Sequence, residues 1–316
     1  SDKNLLFKGH KVVPYCPRCG TALSSHEVSQ GYKSVTERSA VVRFHVKGEK
    51  NTFLYAWTTT PWTLPSNVAL CVNPEEDYAR FKAEGRTVIM AKALIPSIFG
   101  EASVEVLETV KGAALEGMEY EPLFGFQEGL VDKRAWYVVC DEYVTMSDGT
   151  GIVHQAPAFG EDDARVGRKY DLPFLQLVDA KGEMTKETPW AGTFVKKADP
   201  IILQDLENRG LLVAAPEFTH DYPFCWRCDT PLIYYARSTW FIRMTALREA
   251  LMASNRAINW MPDNIKEGRM GNFLDNVLDW ALSRSRYWGT PLPVWVCGCG
   301  HTHTVGSVAE LRELGE

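Results

Sequence analysis

Ala56-Trp57-Thr58-Thr59-Thr60-Pro61-Trp62-Thr63-Leu64-Pro65-Ser66-Asn67 is the stretch that organises everything around it. Upstream, Phe53, Tyr55 and Trp57 alternate with Leu54 and Ala56, the period of two that marks a β-strand. The strand then runs into four Thr, a Ser and an Asn within residues 58–67, pinned by two prolines. Proline fixes φ and narrows the unfolded ensemble, so hydroxyls on such a loop are preorganised. A Thr hydroxyl both donates and accepts, which suits holding a water, a ribose edge or a carbonyl oxygen. Trp62 adds a bulky wall. Read alone, the segment is equally a Thr-rich strand ending in a proline turn.

The same period continues outward. Val42, Phe44 and Val46 alternate with Arg43 and His45, and short β-rich runs follow at 88–90, 104–107, 136–140 and 151–154. Gly and Pro separate them, and helices are expected at 161–170 and 199–209. The pattern predicts an α+β fold: a β-rich, barrel-like domain over 31–212. It is flanked by turn-rich segments at 1–30 and 213–235 that read as two halves of a zinc-ribbon stalk. Beyond these the period changes. Met244, Leu247 and Leu251, then Phe273, Val277 and Ala281, recur at helical spacing, so 236–290 is read as a helical connecting segment. Residues 291–316 form a second small Cys/His element.

Composition is that of an ordinary soluble globular chain, 45% hydrophobic and 23% charged. No apolar run is long enough for a membrane span, and Ser1 reads as a cut end of a longer chain. The net charge of −6 argues against a generic nucleic-acid coat, though not against contact with one end of an RNA. Between Arg237 and Arg286, eight Lys/Arg face five Asp/Glu, which suits either phosphate or a solvated helical face.

Six of the eight cysteines fall in close pairs. Cys16-Pro-Arg-Cys19 and Cys225-Trp-Arg-Cys228 are each half of a tetrahedral thiolate site, because a two-residue spacer lets both sulfurs converge on one metal. Four thiolates close the shell and leave no position for water, so the implied Zn2+ is structural. Residues 20–224 lie between the halves, and the metal therefore ties the two ends of the β-rich region together. Such pairs in a chain of this size point to a reducing, cytoplasmic compartment. Cys297 and Cys299, followed by His301 and His303, suggest half of a second site. Cys71 and Cys140 sit in apolar strand patterns and read as core residues.

Gly149-Thr-Gly-Ile-Val-His-Gln-Ala-Pro-Ala-Phe-Gly160, followed by Glu161, Asp162 and Asp163, reads as strand, tight loop and helix start. A carboxylate in that first turn is favoured by the helix dipole and can receive a substrate ammonium. His154 can hold a hydroxyl or a water. Each has an ordinary structural reading as well, a cap for the Asp and a packed strand end for the His.

Taken together, 57–67 and 149–163 resemble the editing-site motifs of isoleucyl-tRNA synthetase. Relatives specific for valine or leucine carry an Arg where Thr60 stands, and Trp62 after Pro61 favours the isoleucyl branch. Two further stretches agree, Ser238–Met244 and Asn276–Trp295, so the resemblance covers nearly the whole chain. Neither a His-x-Gly-His nor a Lys-Met-Ser-Lys-Ser type signature occurs. The resemblance thus implies the inserted editing domain with its zinc stalk, without the synthetic site at which the full enzyme uses ATP.

What the resemblance implies is hydrolysis of valine esterified to the 3′ acceptor end of tRNA(Ile). A hydrophobic pocket resolves one methylene by only about 1–3 kcal/mol, isoleucine against valine being the standard instance, so a second sieve is needed. By the same resemblance Asp163 holds the α-ammonium, and Trp62 with Thr60 and Thr63 rejects isoleucine. Thr58, Thr59, Thr60, Asn67 and His154 position the terminal ribose and the water. The rest of the synthetase chain is an implied partner, and the fragment itself is expected to be monomeric, with no membrane association. Three alternatives stay open: an editing domain of the valyl or leucyl type, a hydrolase using catalytic zinc, and a tRNA-docking zinc module without chemistry.

Overall fold

The computed structural model describes residues 3–100, 104–283 and 289–315. The chain forms two compact units, Val12–Ala236 and a smaller one combining Ser1–Lys11 with Arg237–Glu316.

Among the described residues, nine strands build one curled mixed sheet in the larger unit. They are β1 (Ala40–His45), β2 (Thr52–Thr58), β3 (Ala69–Val72), β4 (Asp77–Ala83), β5 (Arg86–Ala91), β6 (Glu105–Lys111), β7 (Tyr137–Cys140), β8 (Ile152–Gln155) and β9 (Leu212–Ala214). Their order is β7-β3-β8-β2-β5-β4-β6, while β1, carrying β9, lies along the other side of β2. β2 is the pivot. Along one side it pairs antiparallel with β1, from Ala40↔Thr58 to His45↔Phe53. Along the other, Thr52–Leu54 run parallel to Thr87–Ile89, whereas Trp57 pairs in parallel with Val153. The sheet forks at that point. Two parallel strands, β2 and β8, therefore end side by side, and ligand clefts form outside the carboxyl ends of such strands.

The expected alternation along β2 is only half right. Leu54 and Ala56 are as buried as Tyr55, because apolar side chains cover both faces of the strand. The outer face of β3 and β7 carries a second small core of Val68, Cys71, Val139, Leu172, Leu175 and Leu177. Cys71 and Cys140 are buried free thiols, as the apolar pattern predicts.

Helix α1 spans Glu161–Lys169 and α2 spans Val195–Asn208. α2 begins four residues before the expected 199. The residue preceding a proline is ordinarily pushed out of helical geometry, which makes Asp199-Pro200 look like a boundary. Burial of Val195 and Ala198 against the core draws the helix back across it.

In the smaller unit, Met244–Leu247 and Arg248–Ala257 are helical turns, in keeping with the stripe there. The second stripe is a correction. The helical run around Phe273, π-helical over Lys266–Met270 and α-helical over Gly271–Asp275, stops before Val277, while Ala281 pairs as a strand residue with Phe241. Phe273 itself is 66% exposed, so no buried face enforces the helical period. Of the motif 276–295, residues 284–288 lie outside the described residues.

Candidate functional site

The Thr-rich segment leaves β2 and turns at once. Thr60 precedes a short 3-10 helix, Pro61–Ser66, whose first position is a proline with no N–H to satisfy. The turn folds the hydroxyls back into a chain. Thr58 Oγ1 lies 3.4 Å from Thr60 Oγ1, Thr60 Oγ1 3.3 Å from Thr63 Oγ1, and Thr63 Oγ1 3.0 Å from His154 Nε2. Strand β8 carries His154 to this point.

Proton counting orients the last link. The Thr63 hydroxyl has one hydrogen and donates it to the Thr60 carbonyl at 2.8 Å. Its oxygen therefore accepts from His154 Nε2–H. Nδ1 is left with its lone pair, and it is buried without a hydrogen-bond partner. Burial pushes His154 from 6.5 down to about 4, so the ring is neutral near pH 7.

Across the cleft, Asp163 sits in the first turn of α1, and among the described residues no side chain donates to its carboxylate. Burial, with the Asp162 charge beside it, pushes Asp163 up to about 8. Gly160, the residue before α1, makes room for it: a Cβ there would stand 1.8 Å from Asp163 Oδ2. Gly149, at φ +73, has a comparable role beneath Trp57, whose ring a Cβ would meet at 2.7 Å.

These groups enclose a cavity of about 250 Å³. Thr58, Thr60, Thr63, His154 and Asp163, each expected at the site from the sequence, all line it. It also has walls that the sequence left unassigned: Trp57, Tyr143, Val153, Phe159 and the acidic pair Glu161 and Asp162. Trp57 and Phe159 lay inside the quoted motifs. Tyr143 carried no signal at all.

Three expected residues are elsewhere. Trp62 is 2% exposed and packs edge-to-face on Phe159 at 5.1 Å, so it backs the wall instead of forming it. Thr59 does not reach the lining. Asn67 is fully buried and already used: its amide donates to the Ala69 carbonyl at 2.8 Å and accepts from the Tyr120 hydroxyl at 2.8 Å. At 0% exposure it is out of a ribose's reach.

Cys16, Cys19, Cys225 and Cys228 converge, all four sulfurs lying within 4.8 Å of one another. Cys16–Cys228 and Cys19–Cys228 are each 3.4 Å apart and Cys19–Cys225 4.0 Å. A tetrahedron of thiolates at about 2.3 Å from zinc has edges of about 3.8 Å, so the donor set fits that metal. Leu23, Val28 and Leu232 wrap the cluster. Cys297 and Cys299 are exposed, and among the described residues they join no group of three potential ligands. His303 is instead 3.3 Å from Glu310. No described helix is long and apolar enough to cross a membrane.

The chain is 59% identical to an isoleucine–tRNA ligase of Clostridium acetobutylicum, over 99% of its own length and 30% of the relative. It is 49% identical to that of Thermus thermophilus, over 98% and 30%. The chain thus spans about 30% of the length of the curated relatives it matches. Among solved structures, the P. knowlesi cytosolic leucyl-tRNA synthetase editing domain aligns with a TM-score of 0.46 at 13% identity, over 60% of this chain and 99% of that one. The family model of the class I tRNA synthetases (I, L, M and V) matches residues 1–314. With that match over nearly every residue, the chain belongs to the class I tRNA synthetases, the family of the isoleucyl, leucyl, methionyl and valyl enzymes.

Proposed function

We propose that the larger unit hydrolyses the ester between valine and the 3′-terminal adenosine of tRNA(Ile), removing an amino acid attached in error. The observation that carries this reading is the pairing, across one small cavity, of an unpartnered carboxylate with a chain of hydroxyls ending on a neutral imidazole. About 250 Å³ is below the usual size of a site enclosing a whole cofactor and suits an aminoacyl group.

Asp163 receives the α-ammonium of the ester, and that charge draws the carboxyl back toward its ionised form. Phe159, stiffened from behind by Trp62, limits the side chain together with Val153 and the Thr60 and Thr63 faces. His154 Nδ1 accepts a hydrogen bond from the ribose hydroxyl or the attacking water, and Thr58 and Thr60 hold its neighbours. Water adds to the carbonyl carbon, the bond to the ribose oxygen breaks, and the proton passes to that oxygen. Valine and deacylated tRNA leave. An ester is activated enough for a positioned water and fixed dipoles to supply most of the acceleration.

A zinc ion on Cys16, Cys19, Cys225 and Cys228 would hold the base of the unit and take no part in the chemistry. The partners are the acceptor end of tRNA(Ile) and the remainder of a synthetase chain, where ATP would be used, in the cytoplasm. Valyl-tRNA(Ile) incubated with the protein should lose its valine, and Asp163→Ala should abolish the loss. Wild-type rates in that variant would end this assignment of Asp163.

A further inference from the structure

One half-buried carboxylate is not used by that chemistry. Asp199 lies in the first half of α2, between the buried Ala198 and the exposed Pro200. Its Oδ1 accepts the backbone N–H of Trp62 at 2.7 Å, reaching across 137 residues of sequence. Trp62 is the second residue of the 3-10 turn, and N–H groups at the start of a helical turn have no partner within it. Thr60, at the capping position, makes no side-chain capping bond. The cap comes from another element.

We propose that Asp199 is a positioning residue of the hydrolytic site, fixing through the Trp62 N–H the turn from which Thr60 and Thr63 reach the cavity. The inference rests on the hydrolytic reading only for its effect on rate. A charge-assisted bond to a backbone N–H is short, directional and strong. The turn it holds carries Thr63, whose oxygen in turn takes the His154 Nε2–H. Movement here passes directly to the imidazole, and displacement of a reacting group by about 1 Å can cost about a hundredfold in rate.

The surroundings show why this carboxylate has been kept free for the turn. Lys196, on the same helix, is spent on Glu37, with Nζ 2.7 and 2.9 Å from its two oxygens, and lies over the Tyr222 ring. His220 faces Glu37 as well, at 3.7 Å. Glu37 and Tyr222 come from strands Tyr32–Arg38 and Glu217–Pro223. The segments of α2's other neighbours, the turn 61–66 and β9, hold no ionisable side chain. Burial outweighs the pull of Lys196 and pushes Asp199 from 3.8 up to about 7. The bond to Trp62 therefore weakens as pH falls through that value.

The test reads the Trp62 amide and the rate separately. In nitrogen–proton NMR spectra of the protein, the Trp62 amide should shift with a midpoint near 7, and Asp199→Asn should remove the titration while keeping the acceptor. For deacylation of valyl-tRNA(Ile), Asp199→Ala should lower kcat about tenfold to a hundredfold with KM nearly unchanged. Asp199→Asn should restore most of kcat. A Trp62 amide that stays flat from pH 5 to 9, or a folded Asp199→Ala with wild-type kcat, would overturn the proposal. If Asp199→Ala does not fold, the Asn variant and the amide titration decide it. If the wild type hydrolyses nothing, the hydrolytic reading falls and the amide titration still decides what Asp199 does.

Discussion

Thr63 and His154, 91 residues apart in sequence, are joined by a 3.0 Å hydrogen bond in which the imidazole is the donor. The Thr63 hydrogen is committed to the Thr60 carbonyl, so the bond runs one way and fixes the tautomer. Thr63→Val keeps the shape and removes the acceptor. The buried Nε2–H is then unpaired, at a cost of about 1–3 kcal/mol in stability. Deacylation should fall about tenfold or more, less than the roughly hundredfold and upward that loss of a general acid or base itself costs, because the imidazole stays and only its orientation is loosened. Urea midpoints and single-turnover rates on the same preparation check both parts.

Gly160→Ala tests how Asp163 is seated. Gly160 has φ −136, a conformation open to any residue, so the backbone should not object. The added methyl instead takes the place of Asp163 Oδ2. KM for the valyl ester should rise about tenfold or more, while stability changes by about 1 kcal/mol or less, the usual scale at a capping position. Parallel kinetics and thermal melts separate the two effects.

The raised carboxyl pKa of Asp163 has a thermodynamic signature. Unfolded, the group titrates near 3.8; folded, near 8. Between those values the native state holds more protons, so its contribution favours folding at low pH and is lost as pH rises through about 8. His154, depressed to about 4, contributes stability above 6.5 that is lost as pH falls toward 4. Above pH 6.5 the His154 contribution is constant, and above about 7 that of Asp199 is spent, so the Asp163 slope remains. Asp163→Asn should flatten the fall in melting temperature between about pH 7 and 8.

Metal removal should act on stability and not on chemistry. The four cysteines contribute nothing to the cavity lining. Cys16→Ser, or a strong chelator, should take zinc from one per chain to none and lower the melting temperature. Deacylation measured well below that temperature should stay within about threefold of wild type. A rate that vanishes in a chain still folded by circular dichroism would instead make the metal catalytic.

What the sequence made legible follows the range of the interactions concerned. The cysteine pairs and the loop 149–163 could be read because each packs its chemistry into a few consecutive residues. The strand β2 could be seen, but its two-sided burial could not, since Leu54 is covered by elements distant in the chain. Trp62 looked like a wall because a large ring on a proline turn usually is one. The structure sets Phe159 between it and the cavity, and only a fold can order two aromatic rings in depth. Asp199 was hidden for the same reason: its partner is a backbone N–H, which has no letter in the sequence.

The four-thiol cluster also sets a timetable. Cys19 and Cys225 are separated by 206 residues, which ribosomes translating at about 5–20 residues per second need roughly 10–40 seconds to cover. For that interval a nascent chain carries one thiol pair with no second pair to complete its coordination. Every strand of the curled sheet, and both sides of the cavity, emerge before the closing pair arrives. Metal capture thus waits until all but residues 229–236 of the unit have been made, and it closes a head that has already had time to fold.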